Sequence, residues 1–338
     1  MEGRKLQLAG GSTYVISLPK RWVTQSGLKA GDTLFVESEP DGSISVRSKT
    51  PGKPAVRRKI FEEKGEEARE HLLRKLIGAY ISGYGLIEVR FPGDRGPFVR
   101  RVARDFCRLV VGSEVVEEAQ TSLLIQDLSD PSELSAEKCL RRMHLVVRAM
   151  LEDAVLALKT GKAALANDVI QRDQDVDRLY WMVAKQYHLA QGGAGRNAPG
   201  ENPALGHAYR LVAKLLERIG DHAERIASTF STVVEGNVLD AKLTKDLEEA
   251  NASAISILDK AFRALMSGDI DAANEAIDAR THHQRLIDSL SHRAATRKGE
   301  ELLALGAVVD SLGRTASYAT DIAEQAINLA VLDDARGR

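Results

Sequence analysis

The spacing of apolar residues changes character along the 338-residue chain. From Leu134 onward apolar positions recur every three or four residues and no strand pattern intervenes, which predicts six long helices. They fall near 135–159, 162–189, 204–235, 239–266, 269–294 and 300–331. Residues 4–47 read differently. Arg4 to Leu8 and Thr13 to Ser17 are predicted strands, with Tyr14 and Ile16 alternating against Val15 and Ser17 across the turn Ala9-Gly10-Gly11-Ser12. Pro19 suits a helix start and Gly27 a helix end, and turns at Gly31-Asp32 and Pro40-Asp41-Gly42 bound two more strands. Residues 59–128 are mixed. A helix is expected over Glu62 to Ser82, a strand over Leu86 to Phe91, a helix over Phe98 to Val110, and strands at Glu114–Glu118 and Ser122–Gln126.

The helical part is an internal duplication. Leu158-Lys159-Thr160-Gly161 recurs 107 residues later as Leu265-Met266-Ser267-Gly268, and Ala166-Asn167-Asp168 as Ala273-Asn274-Glu275. Further on the offset is 96, so that Leu216, Arg218, Ala223 and Ile226 match Leu312, Arg314, Ala319 and Ile322. The difference of 11 is absorbed by a Gly/Pro/Asn-rich loop, Gln191 to Pro203, found only in the first copy. The expected organisation is therefore a small all-β hairpin domain (1–50), a linker at Ser48 to Pro54, a mixed α/β spacer (56–128) and two three-helix repeats (129–236 and 237–338). The fold class is mainly α.

Charge sharpens this division. Residues 1–58 carry ten Lys/Arg against five Asp/Glu, whereas residues 129–338 carry 26 against 31. A basic head on an acidic body implies different partners for the two ends. The two cysteines, Cys107 and Cys139, are far apart and in no ligand motif, which argues against a disulfide scaffold or zinc ribbon. No signal-like start is present, and no stretch approaches the ~18 apolar residues of a membrane helix, so a soluble, cytoplasmic protein is expected. The hairpin segment is too small for a core of its own and has no cysteine, so a second chain is the simplest remedy.

Two acidic motifs carry the candidate chemistry. Asp173 and Asp177 share one helix face, and Glu217 and Asp221 share a face of the next helix, each pair at i,i+4. Converged carboxylates call for a cation, and oxygen ligands suit Mg, Ca, Mn or iron rather than zinc. Without a cation the same residues are a solvated face, in which Asp221 can pair with Arg225. The second copy has Arg280, Gln284, Gly313 and Ser317 at the four places, so any metal belongs to the first copy. His222 is expected to be a packing or surface residue. The adjacent His282 and His283 point apart and make no metal pair.

The run Leu216-Glu217-Arg218-Ile219-Gly220-Asp221-His222-Ala223-Glu224-Arg225-Ile226-Ala227 resembles the signature helix of the PhoU family, and Val169 to Leu179 resembles that family's other acidic motif. The resemblance implies control of phosphate uptake, through a phosphate-transporter ATPase or a sensor kinase. It also implies metal ions on Asp173, Asp177, Glu217 and Asp221, with Glu224 drawn in where several ions cluster. Arg4-Lys5-Leu6 through Gly31-Asp32 is similar to the AbrB/SpoVT swapped hairpin, in which two chains interleave and bind DNA. That likeness implies a homodimer through residues 4–47 and DNA contact by Arg4, Lys5, Lys20 and Arg21. The first loop, Gly10-Gly11-Ser12-Thr13, lacks the arginine many such domains carry there, which leaves open a hairpin that only dimerises. An enzyme is not expected. A di-iron site needs Glu-x-x-His pairs that the acidic motifs lack, and no Walker loop, nucleophile elbow or dinucleotide fingerprint is present.

Overall fold

The computed structural model describes residues 3–38, 42–47, 56–65, 67–129, 134–191 and 203–334. The predicted Ser48–Pro54 linker, Pro40 and Asp41 of the second turn, and residues 192–202 lie outside the described residues. The chain divides into two compact units, residues 1–55 and 56–338.

In the first unit, strand β1 (Gln7–Ala9) pairs antiparallel with β2 (Thr13–Val15), shorter than the sequence pattern suggests. Gly10 and Gly11 turn the hairpin at φ of 63° and 81°, backbone that disfavours a side chain. Helix α1 (Lys20–Gln25) starts after Pro19 and ends ahead of Gly27, whose φ of 67° lets Leu28 N–H reach the Val23 carbonyl. Strands β3 (Phe35–Ser38) and β4 (Ile44–Arg47) form a second hairpin. None of the described residues of this unit is buried, while Leu6, Leu8, Tyr14, Ile16, Val36 and Ile44 are all more than half exposed.

The second unit begins with a four-stranded sheet of order β5-β6-β8-β7. Its strands are β5 (Arg58–Glu62), β6 (Leu86–Arg90), β7 (Ser113–Glu118) and β8 (Ser122–Asp127). β5 and β6 run parallel, joined through helix α2 (Arg69–Ile81), and the other pairs are antiparallel. Helix α3 (Gly96–Leu109) buries Val99, Val102, Ala103 and Phe106 on one face. The expected helix from Glu62 is corrected here. Arg58 to Glu62 form a strand, Gly65 turns at φ 97°, and the helix starts at Arg69. Glu63 fixes that turn by accepting the Gly65 and Glu67 N–H groups and an ion pair from Arg95 at 3.1 Å.

The six long helices follow as α4 (Ala136–Thr160), α5 (Ala163–Gln191), α6 (Pro203–Ser228), α7 (Ala241–Ser267), α8 (Ile270–Ala294) and α9 (Gly299–Asp334). The third ends earlier than its pattern, in a π turn at Ser231–Glu235. The duplication extends to the caps. Ser135 and Asp240 accept from the N–H three residues on, and Gly161 and Gly268 close their helices at φ 65° and 68°. α4 packs on α7 and α6 on α9, so one apolar core runs through both copies. The sheet domain has its own core, against which Trp181 of α5 packs. Among the described residues no helix is long and apolar enough to cross a membrane.

Candidate metal centre

α5 and α6 lie side by side with opposite directions. The close approach of Asp173 to Gly220 at one end and of Tyr187 to Gly206 at the other sets this register. A Cβ at Gly220 would stand 3.3 Å from Asp173 Oδ1 and 3.4 Å from Val176 Cγ1, so the bare glycine lets the helices meet closely beside the acidic groups. Asp173 and Asp177 therefore face Glu217 and Asp221 across the seam, as the i,i+4 spacing predicts.

Glu217 is only 8% exposed, and its Oε2 is buried without a hydrogen-bond partner, as is Asp173 Oδ1. Burial pushes the Asp173 carboxyl up to about 7, and the charges of Asp177, Asp221, Glu224 and Glu217 add to the effect. Asp177 rises to about 6, through burial and then Glu217 and Asp221. Asp221 also rises to about 6, through burial and then Glu217. Five carboxylates are thus close enough to repel one another. Lys214, one turn before Glu217 on α6, answers them directly by donating from its Nζ to Glu217 Oε1, and the Arg218 charge also acts on Asp221. Lys214 also pulls against the upward shifts of Asp177 and Asp221. In this arrangement no three His, Cys, Asp or Glu among the described residues surround one point as ligands would. Lys214 stands in the role of counter-charge.

Other expectations resolve locally. Arg225 does not pair with Asp221. It reaches Asp310 of α9 at 3.0 Å, so the expected Asp221–Arg225 pair is corrected. His222 is a packing residue at the α6–α9 seam, with Nδ1 3.2 Å from Ser311 Oγ. His283 is buried, its Nε2 3.2 Å from the Leu312 carbonyl oxygen, while His282 is exposed. In the second copy Arg280 reaches Ser317 at 3.4 Å, Gln284 turns to Asp288, and Gly313 lies against Ile287. In the first unit Arg4 and Lys5 precede β1, and Lys20 and Arg21 open α1, all four exposed. The sequence reading passed over Lys214, whose signal was its place one turn from Glu217 on the acidic face.

Residues 140–230, from α4 to the end of α6, match the model of the PhoU domain. The chain carries a PhoU domain. Residues 7–54 match the family model described as antidote-toxin recognition MazE, bacterial antitoxin, so a MazE/AbrB-type domain stands at the N-terminus. The chain is 25% identical over 198 residues to the phosphate-specific transport system accessory protein PhoU homolog 1 of Thermotoga maritima, covering 55% of this chain and 82% of that one. The corresponding PhoU homolog of Caulobacter vibrioides is 31% identical over 119 residues, 35% of this chain and half of that one. Among solved structures, PhoU from Pseudomonas aeruginosa superposes with a TM-score of 0.52 at 21% identity, over 57% of this chain and 94% of its own. The phosphate transport system regulatory protein PhoU from Streptococcus pneumoniae gives 0.50 at 17% identity. These two show that the helical fold is of PhoU type.

Proposed function

We propose that the protein is a cytoplasmic regulator of phosphate uptake whose PhoU domain senses and whose N-terminal domain dimerises and binds DNA. The match of α4–α6 to the PhoU domain carries this reading. It is supported by relatives named as accessory proteins of phosphate-specific transport. The protein-side partner in this role is a phosphate-transporter ATPase or a sensor kinase.

The first unit supports the dimer physically. Six large apolar side chains more than half exposed, with no buried residue among the described residues of this unit, leave a core to be supplied by a second copy. Arg4, Lys5, Lys20 and Arg21 then supply phosphate contacts to DNA, which position rather than read sequence. A hairpin that only dimerises is the second reading, favoured by the arginine-free loop Gly10 to Thr13.

The donor chemistry of the acidic seam suits a hard cation, which would draw together carboxylates that do not surround one point in this arrangement. The seam's donors are all carboxylate oxygens, and two of them are buried without a partner. Asp173, Asp177, Glu217 and Asp221 would hold a divalent or iron ion, with Glu224 beside them. The ion would supply positive charge that ties α5 to α6.

The test is a deletion strain, complemented with the full chain or with residues 56–338. Loss of phosphate-dependent control of uptake, restored only by the full chain, supports the two-part regulator. Restoration by residues 56–338 alone supports a protein-only adaptor. Uptake and transporter transcripts unchanged by deletion, in both scarce and abundant phosphate, would rule the reading out.

A further inference from the structure

The acidic stripe does not end at Glu217. On α6 the positions Asp221, Glu217, Lys214 and Arg210 follow at spacings of four, three and four, which keeps them on one helix face. On α5 the facing stripe runs Asp173, Asp177, Tyr180 and Tyr187. The seam is therefore bipolar, with carboxylates at one end and cations backed by tyrosines at the other. Lys214 Nζ lies 4.9 Å from the Tyr180 ring centre and Arg210 Cζ 5.2 Å from that of Tyr187.

Arg210 is the unexplained member. Its Nε is buried and has no hydrogen-bond partner, and no carboxylate among the described residues pairs with it. A ring face uses none of the guanidinium's in-plane N–H donors, so the buried Nε–H remains to be satisfied. A buried donor left in this state is destabilising, and an acceptor would recover that loss. The planar fork matches the oxygens of a tetrahedral oxyanion.

The duplication supplies a control. At the same offsets the second copy has Gly306 and Asp310 in place of Arg210 and Lys214, and Ile287 and Ala294 in place of Tyr180 and Tyr187. It has lost the basic-aromatic end together with all four carboxylates. Two ends that disappear together while the apolar core persists behave as one site.

We propose that Arg210 and Lys214 form an oxyanion site that takes inorganic phosphate beside a divalent cation held by Asp173, Asp177, Glu217 and Asp221. The cation half rests on the reading given above. The cation cancels the carboxylate charge that would repel an anion. By taking Glu217 it also frees Lys214, one turn from Arg210, to join the same phosphate. Phosphate affinity should therefore depend on the cation, and the cation's affinity on phosphate.

Full-length protein, stripped with chelator and dialysed, would be titrated with Mn²⁺ by electron paramagnetic resonance. It would then be titrated with inorganic phosphate by calorimetry, with and without Mn²⁺. Phosphate should bind the Mn²⁺-loaded protein, and Arg210→Gln should weaken it about tenfold or more while leaving Mn²⁺ binding in place. Arg210→Lys, which keeps the charge without the fork, should fall between. Unchanged phosphate affinity in Arg210→Gln, equal binding of sulfate, or Mn²⁺ binding with no phosphate uptake would overturn the site. Phosphate binding that needs Arg210 in protein that takes no Mn²⁺ would uphold the anion site and overturn the metal reading. Binding of neither overturns both.

Discussion

Arg280 of α8 and Ser317 of α9 approach to 3.4 Å at the places that Asp173 and Asp221 occupy in the first copy. The two copies thus keep the helix–helix geometry and exchange the chemistry on it, a guanidinium–hydroxyl contact standing where the first copy sets carboxylates together. Arg280→Ala should accordingly leave cation binding unchanged, and stability should change by less than about 1 kcal/mol, as for an exposed polar contact. Metal content of this variant beside wild type, with a urea denaturation curve, checks both. A fall in bound metal would place part of the site in the second copy.

The acidic seam predicts a pH dependence of defined sign. Asp173 titrates at about 7 and Asp177 and Asp221 at about 6, all above the ordinary 3.8. The folded protein therefore holds more protons than the unfolded chain between about pH 4 and 7, and stability from these groups falls as pH rises through that window. His144, His222 and His283, held below their usual value chiefly by burial, act oppositely as pH falls. The readout is thus a difference. In chelator, Asp177→Asn should melt higher than wild type at pH 7.5, and the gap should close towards pH 5. Added Mn²⁺ should close the gap at pH 7.5 as well, by stabilising wild type. A gap that is constant with pH would show that the carboxylates do not repel.

Lys185 of α5 is 2% exposed and donates to Asp127 at the end of β8 and to Ser129 Oγ at 2.8 Å, with its Nζ 4.5 Å from the Tyr80 ring centre. The helix that carries Asp173 and Asp177 is thereby pinned to the sheet domain. Removing one member of such a pair leaves the other uncompensated, so Lys185→Met should cost about 3–5 kcal/mol. Adding Asp127→Asn should return much of that, because the amide oxygen still accepts from Ser129 while the stranded charge is gone. Denaturation midpoints of the single and double variants decide it. A double variant no more stable than Lys185→Met would mean that packing, not charge, is what the lysine contributes.

The six long helices and the duplication were legible because the helical period holds over 25 or more residues in each of them. Strand β5 was not. Arg58-Lys59-Ile60-Phe61-Glu62 runs into an acidic, lysine-containing stretch that reads as helix, and only Gly65 and the long-range Glu63–Arg95 pair separate the two. The acidic seam was visible in i,i+4 spacing. Its charge pairing was not: Arg225 is diverted by Asp310, 85 residues away, whereas Lys214, at i,i+3 from Glu217, takes up the local pair. Trp181 and Lys185 carry no sequence mark of contact with the sheet domain, because those contacts cross more than 50 residues.

The N-terminal unit yields the last prediction. Six apolar side chains more than half exposed on residues 6–44, with no buried residue among the described residues of this unit, leave it without a core unless a second copy covers them. Oligomer size and DNA binding should therefore be lost together when residues 1–55 are removed, while the helical unit, with its own continuous core, stays folded. Within the intact protein, Lys20 and Arg21 sit side by side at the start of α1. Lys20→Ala and Arg21→Ala should each weaken DNA binding across unrelated sequences and lower the salt slope by about 1, the signature of one lost phosphate contact. Ile44→Asp should instead abolish the dimer and with it the DNA affinity, because an isolated hairpin presents only half of the basic surface. Light scattering and salt-dependent binding on these four proteins separate the roles. A truncated protein that remains the same oligomer would move the dimer contact to the helical unit.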